Sequence, residues 1–191
     1  MKFYAMILGL ILSLGFISSC AKPQGNSPKS KRAYIQQMKT NTLADLYAAK
    51  PVTRDLIEHA AGYGVFSNIS TQFLVVGSGN GYGIVVDKTT GKETYMKMAE
   101  GGIGLGVGVV DMREVIIFNS PIVLNEFIRK GWDFGVQGDA VLKSKTEGAA
   151  ASGAIPFDSD IVIYQLTKQG VALRTNVGAE KYWIDSELNY Y

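Results

Sequence analysis

The hydrophobic and polar positions of the chain follow three successive patterns. From Phe3 to Phe16 no residue is charged, and Lys2 stands just ahead of that run. This is the layout of a signal-peptide h-region behind a minimal positive n-region. The run is shorter than the roughly 20 apolar residues that cross a hydrocarbon core, so it reads as a leader rather than a permanent span. From Lys31 to Lys50 the residues Tyr34, Ile35, Met38, Leu46 and Tyr47 recur at helical spacing and predict one amphipathic face, with Thr40-Asn41-Thr42 as a weak point that divides the segment. After Pro51, Thr53 is placed to cap a short helix carrying Leu56, Ile57 and Ala60, which Gly62 is available to end.

Beyond Tyr63 the pattern becomes that of strands. Phe73–Val76 and Tyr82–Val86 are β-prone and flank Gly77-Ser78-Gly79-Asn80-Gly81, where Asn80-Gly81 suits a tight hairpin turn; one long strand with its glycines on one face is the alternative. Thr89-Thr90-Gly91-Lys92 marks a turn before Glu93–Ala99. Then Gly102, Gly104, Gly106 and Gly108 alternate with Ile103, Leu105, Val107 and Val109, which places all four glycines on one face of a strand. A strand without side chains on one face loses packing, and the expected return is close approach of a backbone, a helix or a flat ligand. Glu114–Phe118 reads as strand and leads to a helix that Ser120 caps and Pro121 starts. Val123, Leu124, Phe127 and Ile128 form its stripe, Arg129 and Lys130 suit its C-terminal dipole, and Gly131 ends it. Trp132–Leu142 reads as strand, Gly148–Ala154 as a small-residue stretch, and Ile161–Leu166 with Val171–Val177 as a hairpin closed by Thr167-Lys168-Gln169-Gly170. The fold class expected is α+β: a β-rich antiparallel sheet or partial barrel with N-terminal helices and one well-capped helix near 120–130.

Composition narrows the function. A chain of 191 residues with 47% hydrophobic and 19% charged residues is an ordinary globular domain, and a formal charge of +2 excludes the electrostatic footprint of a nucleic-acid binder. The one cysteine, Cys20, excludes an intramolecular disulfide. It closes Ile17-Ser18-Ser19-Cys20, which resembles the lipobox of bacterial lipoproteins, where an aliphatic residue and two small ones precede the cysteine that receives a diacylglyceryl group. The expected organisation is residues 1–19 as lipoprotein signal peptide, 20–30 as lipidated Cys20 and flexible tether, and 31–191 as the domain. Two or three acyl chains give stable attachment. Ala21, with no aspartate beside the cysteine, looks like outer-membrane sorting in a Gram-negative host.

Catalytic chemistry is poorly represented. No glycine triple in Gly77–Gly83 or Gly101–Gly108 has G-x-G-x-x-G spacing, and Gly91-Lys92 is followed by Glu93 where a P-loop needs Ser or Thr. One histidine, His59, and one cysteine give no metal-ligand spacing and no nucleophilic triad, and the acids Asp111, Glu114, Asp133, Asp139, Asp158 and Asp160 are scattered. A non-enzyme with neither cofactor nor metal is expected.

Ala61-Gly62-Tyr63-Gly64-Val65-Phe66, Phe73 through Gly83, and Gly101-Gly102-Ile103-Gly104-Leu105-Gly106 together resemble the opening of the SYLF domain, a lipid-binding family of bacteria and eukaryotes. Val115–Phe118, Trp132-Asp133-Phe134-Gly135, Ile163–Thr167 before Gly170, and Tyr182-Trp183-Ile184-Asp185 with Glu187-Leu188-Asn189 resemble later blocks of its bacterial lipoprotein branch. Ser78 stands where the common form has a second glycine. The resemblance implies membrane-lipid binding, in eukaryotic members to phosphoinositides through an amphipathic N-terminal helix and basic residues; the counterparts here are the helix from Tyr34 to Tyr47 and Lys31, Arg32 and Lys39. The expected function is therefore a lipid-binding envelope lipoprotein on the periplasmic face of the outer membrane. The alternative is a structural or partner-binding lipoprotein that docks an envelope protein on its glycine-faced sheet. Basic residues beside an apolar groove would favour the first, and a broad exposed apolar patch the second.

Overall fold

The computed structural model describes residues 21–133, 160–167, 170–173 and 179–190. The signal peptide, Cys20, the strand expected over 134–142, the stretch 148–154 and the end of the last hairpin at 174–177 lie outside them. The fold is α+β: N-terminal helices packed on an open six-stranded antiparallel sheet. In chain order the elements are α1 (Pro28–Ala49), α2 (Val52–His59), β1 (Gly62–Asp87), β2 (Glu93–Phe118), α3 (Pro121–Lys130), β3 (Trp132–Asp133), β4 (Ile161–Thr167), β5 (Gly170–Leu173), β6 (Ala179–Ile184) and α4 (Ser186–Asn189).

Helix α1 starts at Pro28, where Ser27 and Ser30 form a reciprocal capping box. It runs unbroken through Thr40-Asn41-Thr42, contrary to the expected division. The three polar residues bond back along the helix: Thr40 Oγ1 donates to Gln36 O at 3.0 Å, Gln37 Nε2 donates to Asn41 Oδ1 at 2.8 Å, and the buried Thr42 hydroxyl meets Met38 Sδ at 3.6 Å. Thr53 is not the cap of α2. It is fully buried inside the first turn, its hydroxyl donating to Lys50 O at 2.6 Å. The helix ends at Ala60 rather than Gly62, and its last carbonyls are met by Lys88, whose Nζ donates to Ile57 O at 2.8 Å and also to Glu58 O. Helix α3 is as expected, with Ser120 accepting from the Val123 N–H and Gly131 at φ +67 beyond its end.

Strands β1 and β2 form a single long antiparallel ribbon, paired from Gly62↔Phe118 to Val86↔Glu93. Asn80-Gly81 lies inside β1 and makes no hairpin; the turn is at 88–92, where Asp87 Oδ1 accepts from the Thr89 and Thr90 N–H groups and Gly91 takes φ +70. A straight strand of 26 residues would span about 85 Å. Yet the Lys88 N–H donates to Ala61 O at 3.0 Å, so the ribbon must double back and bring the ends of β1 together. The one shift in its register falls between Leu74 and Val76, at the middle of β1, where a bulge favours bending.

The doubled ribbon explains the glycines of β1. A Cβ on Gly83 would collide with Val65 O, one on Gly81 with Ser67 O, one on Gly79 would lie 2.7 Å from Asn68 Oδ1, and one on Gly62 would lie 2.5 Å from Val86 O. At Gly62, Gly81 and Gly83 the early and late halves of the strand touch backbone to backbone, and at Gly79 the backbone meets the side chains of Asn68 and Ser70, approaches that only glycine permits. Gly102, Gly104, Gly106 and Gly108 lie in β2, with Gly102 opposite Gly77 and Gly106 opposite Leu74 at the middle of the ribbon.

Strand β2 is the spine of the sheet. β1 lines one edge throughout, while β6 pairs with Met96–Gly101 and β4 with Arg113–Phe118 along the other; β5 extends β4 and β3 extends β6. Alternate residues serve two cores. Val115, Ile117, Val162 and Tyr164 pack under Ile35, Met38 and Leu46 of α1 and Ile57 of α2. Ile116, Phe118, Ile161 and Ile163 pack with Phe66, Tyr182 and α3 residues Leu124 and Phe127. Burial on both faces accounts for the unbroken apolar run at Val115–Phe118.

Candidate functional site

Residues 21–23 lie against the sheet on the face that α1 also covers, before α1 begins. Ala21 is partly buried against the first core, and Lys22 and Pro23 line a groove of about 260 Å³. Its other wall is made by Tyr82 of β1, Lys97 and Met98 of β2, and Trp183 of β6. Lys97 is directly opposite Trp183 in the β2–β6 register, and Lys181 is opposite Ala99. Lys97, Lys181 and Trp183 therefore share one face by the period of two, with Lys22 beside them. Trp183 is 38% exposed, unusual for a tryptophan, and Lys22 and Lys181 are exposed. Lys97 Nζ lies 3.3 Å from Asp185 Oδ1; that carboxylate is buried and also accepts the Glu187 N–H at the start of α4.

The basic residues expected from the sequence to meet lipid stand elsewhere and are engaged in the fold. Lys31 pairs with Glu187 of α4, and this hydrogen bond holds the Glu187 carboxyl below the usual carboxylate range. Arg32 Nη1 donates to Leu188 O at 3.2 Å. Lys39, with its side chain 14% exposed, pairs at 2.8 Å with Glu93, which also accepts from Gln36. All three thus fasten α1 to the strand β2 or to the C-terminal helix. The apolar side of α1, including Tyr34, Ile35, Met38 and Leu46, faces the sheet.

A second concavity, a cleft of about 480 Å³, lies between α1 and the ends of β2 and β4 and is lined by Tyr34, Gln37, Asn41, Asp111, Arg113 and Thr167 among others. Its polar groups bind one another: Arg113 pairs with Asp111, and Gln37 with Asn41. Deeper in the second core, the Tyr182 hydroxyl lies 2.9 Å from both Glu114 Oε2 and Glu180 Oε2, and Gln165 Nε2 donates to Glu114 Oε1 at 2.8 Å. In the sequence Glu114 is one scattered acid among several. Its parity with Ile116 and Phe118 is the signal that places it inside. His59 is exposed at the end of α2, its ring nitrogen on Asp55 O, and among the described residues no cluster of three metal-binding side chains occurs. No helix among them is long and apolar enough to cross a membrane.

No family model matches the chain. It is similar to Beta cell expansion factor A of Aeromonas veronii, with 31% identity over 161 residues, which are 84% of this chain and 59% of that protein. The chain thus matches little more than half the length of this curated relative.

Proposed function

We propose that the chain is an envelope lipoprotein, anchored through acylated Cys20, whose domain binds membrane lipid. The observation that carries this reading is the groove where Lys22 and Lys97 stand beside Pro23 and the exposed Trp183, over the buried Tyr82 and Met98. It adjoins Ala21, the residue that follows Cys20 in the sequence. The resemblance of the blocks from Ala61 to Asn189 to the SYLF domain supports the same reading. A partner-docking lipoprotein calls for a contiguous apolar patch, whereas the exposed large apolar residues among those described, Val52, Val109, Ile122, Trp183 and Tyr190, are spread over different parts of the chain.

Two measurements test the proposal. Mass spectrometry of the mature N-terminus should find Cys20 carrying diacylglycerol, and the Cys20→Ser chain should accumulate as unprocessed precursor or soluble protein. Co-flotation of residues 21–191, made without the signal peptide and Cys20, should show binding that does not need the anchor. An unmodified thiol removes the anchor, and failure to float with zwitterionic and anionic vesicles alike removes lipid binding.

A further inference from the structure

We infer that the domain sits on the bilayer by the face of β6 that bears Trp183, with that ring at the membrane interface and Lys22 and Lys181 toward anionic phospholipid headgroups. This rests on the lipid reading above and names the surface and the orientation. Three observations lead to it.

The first is the docking of the N-terminal segment. If residues 21–30 were a free tether, ten extended residues would reach about 33 Å and leave the domain's orientation undetermined. Instead Ala21 is packed on the sheet and α1 begins at Pro28. Consecutive Cα atoms are about 3.8 Å apart, so an acyl group on Cys20 emerges within a few ångströms of the groove. The face that bears the groove cannot then lie far from the headgroups.

The second is chemical. Tryptophan presents an apolar ring with one N–H donor and concentrates at membrane–water interfaces, and lysines around it supply long apolar stems with cationic tips. Trp183 and the three lysines combine both features on one face. Lys97 is held by the buried carboxylate of Asp185 and also acts on the exposed Glu187, which pairs with Lys31, so Lys22 and Lys181 supply the outward cationic charge.

The third concerns what is left for membrane contact. The apolar side of α1 is occupied by the first core, and Lys31 and Lys39 are held by Glu187 and Glu93. A bilayer could use that helix face only by stripping α1 from the sheet.

The test uses the full mature, acylated chain reconstituted in vesicles of phosphatidylethanolamine and phosphatidylglycerol doped with phosphatidylcholine brominated near the headgroup end of its acyl chains. In a Trp132→Phe background Trp183 is the sole tryptophan, and its emission should shift to the blue and be quenched by at least half. Because Trp132 pairs with Tyr182 through β3 and that variant can fail to fold, an independent reporter is a fluorophore on Asn80→Cys, at the exposed rim of the groove, in the otherwise native chain. In residues 21–191, made without the signal peptide and Cys20, Lys22→Ala and Lys181→Ala should each lower affinity for the anionic vesicles about fivefold, the equivalent of about 1 kcal/mol per lysine. Flotation of the chain with neither reporter responding overturns the orientation and leaves lipid binding in place. Failure of the unacylated residues 21–191 to float with zwitterionic and anionic vesicles alike overturns the lipid reading and this inference with it.

Discussion

Gly81 lies against the carbonyl oxygen of Ser67 so closely that no Cβ fits between them. The two residues belong to one strand, and their contact shows that the strand returns upon itself. Gly83 under Val65 O and Gly62 against Val86 O repeat the relationship at neighbouring positions, so the crossing is built by a set of glycines and not by one. The doubled ribbon in turn gives β2 two separate neighbours on its far edge, and the register with one of them, β6, sets Lys97 opposite Trp183.

Substitution of these glycines should therefore depend sharply on position. Gly83→Ala should lower the unfolding free energy by about 1–3 kcal/mol, since the added methyl group meets backbone that has no alternative rotamer. Gly101→Ala, where a Cβ meets nothing within 4 Å, should be neutral or slightly stabilising. Urea denaturation of both variants checks this, and equal midpoints would mean that the two halves of β1 can part without loss.

Two buried tyrosines in opposite circumstances give a second prediction. The Tyr182 hydroxyl faces the carboxylates of Glu114 and Glu180, so Tyr182→Phe leaves polar groups behind and should cost about 1–3 kcal/mol. The Tyr164 hydroxyl is buried without a hydrogen-bond partner, and burial pushes its pKa up. Removing that oxygen in Tyr164→Phe should leave stability unchanged or raise it by up to about 1 kcal/mol. The ordering of the two unfolding midpoints is the readout, and a greater loss in Tyr164→Phe would contradict it.

Lys39 separates a structural from a lipid-facing role for the N-terminal basic residues. Its partly buried pair with Glu93 should make Lys39→Met cost about 0.5–1.5 kcal/mol while the folded protein floats with anionic vesicles as the parent does. Loss of flotation with an unchanged unfolding midpoint would instead place Lys39 at the membrane.

Much of this protein is written in local sequence. The caps and glycine at the ends of α3, the turn at 88–92, the pairing of β4 with β5 and the α+β class follow from short-range chemistry, because a proline, an N-cap or a positive φ acts on its own few residues. The lipobox is local as well, and the proposal for Cys20 needs no fold to motivate it. Tertiary structure decided what depends on partners distant in the chain. Asn80-Gly81 has the composition of a hairpin turn, but in a ribbon folded on itself the absence of side chains at Gly79, Gly81 and Gly83 is used for backbone contact. Thr40-Asn41-Thr42 looks like a helix break, but back-bonding and the core beneath Thr42 carry α1 through it. Lys31, Arg32 and Lys39 look like a basic helix face until Glu187 and Leu188 of α4 and Glu93 of β2 arrive from far along the chain. Trp183, Lys97 and Lys22 are scattered in sequence, and only the β2–β6 register and the docking of Ala21 make them one surface, because a surface is a property of register and packing that no local pattern contains.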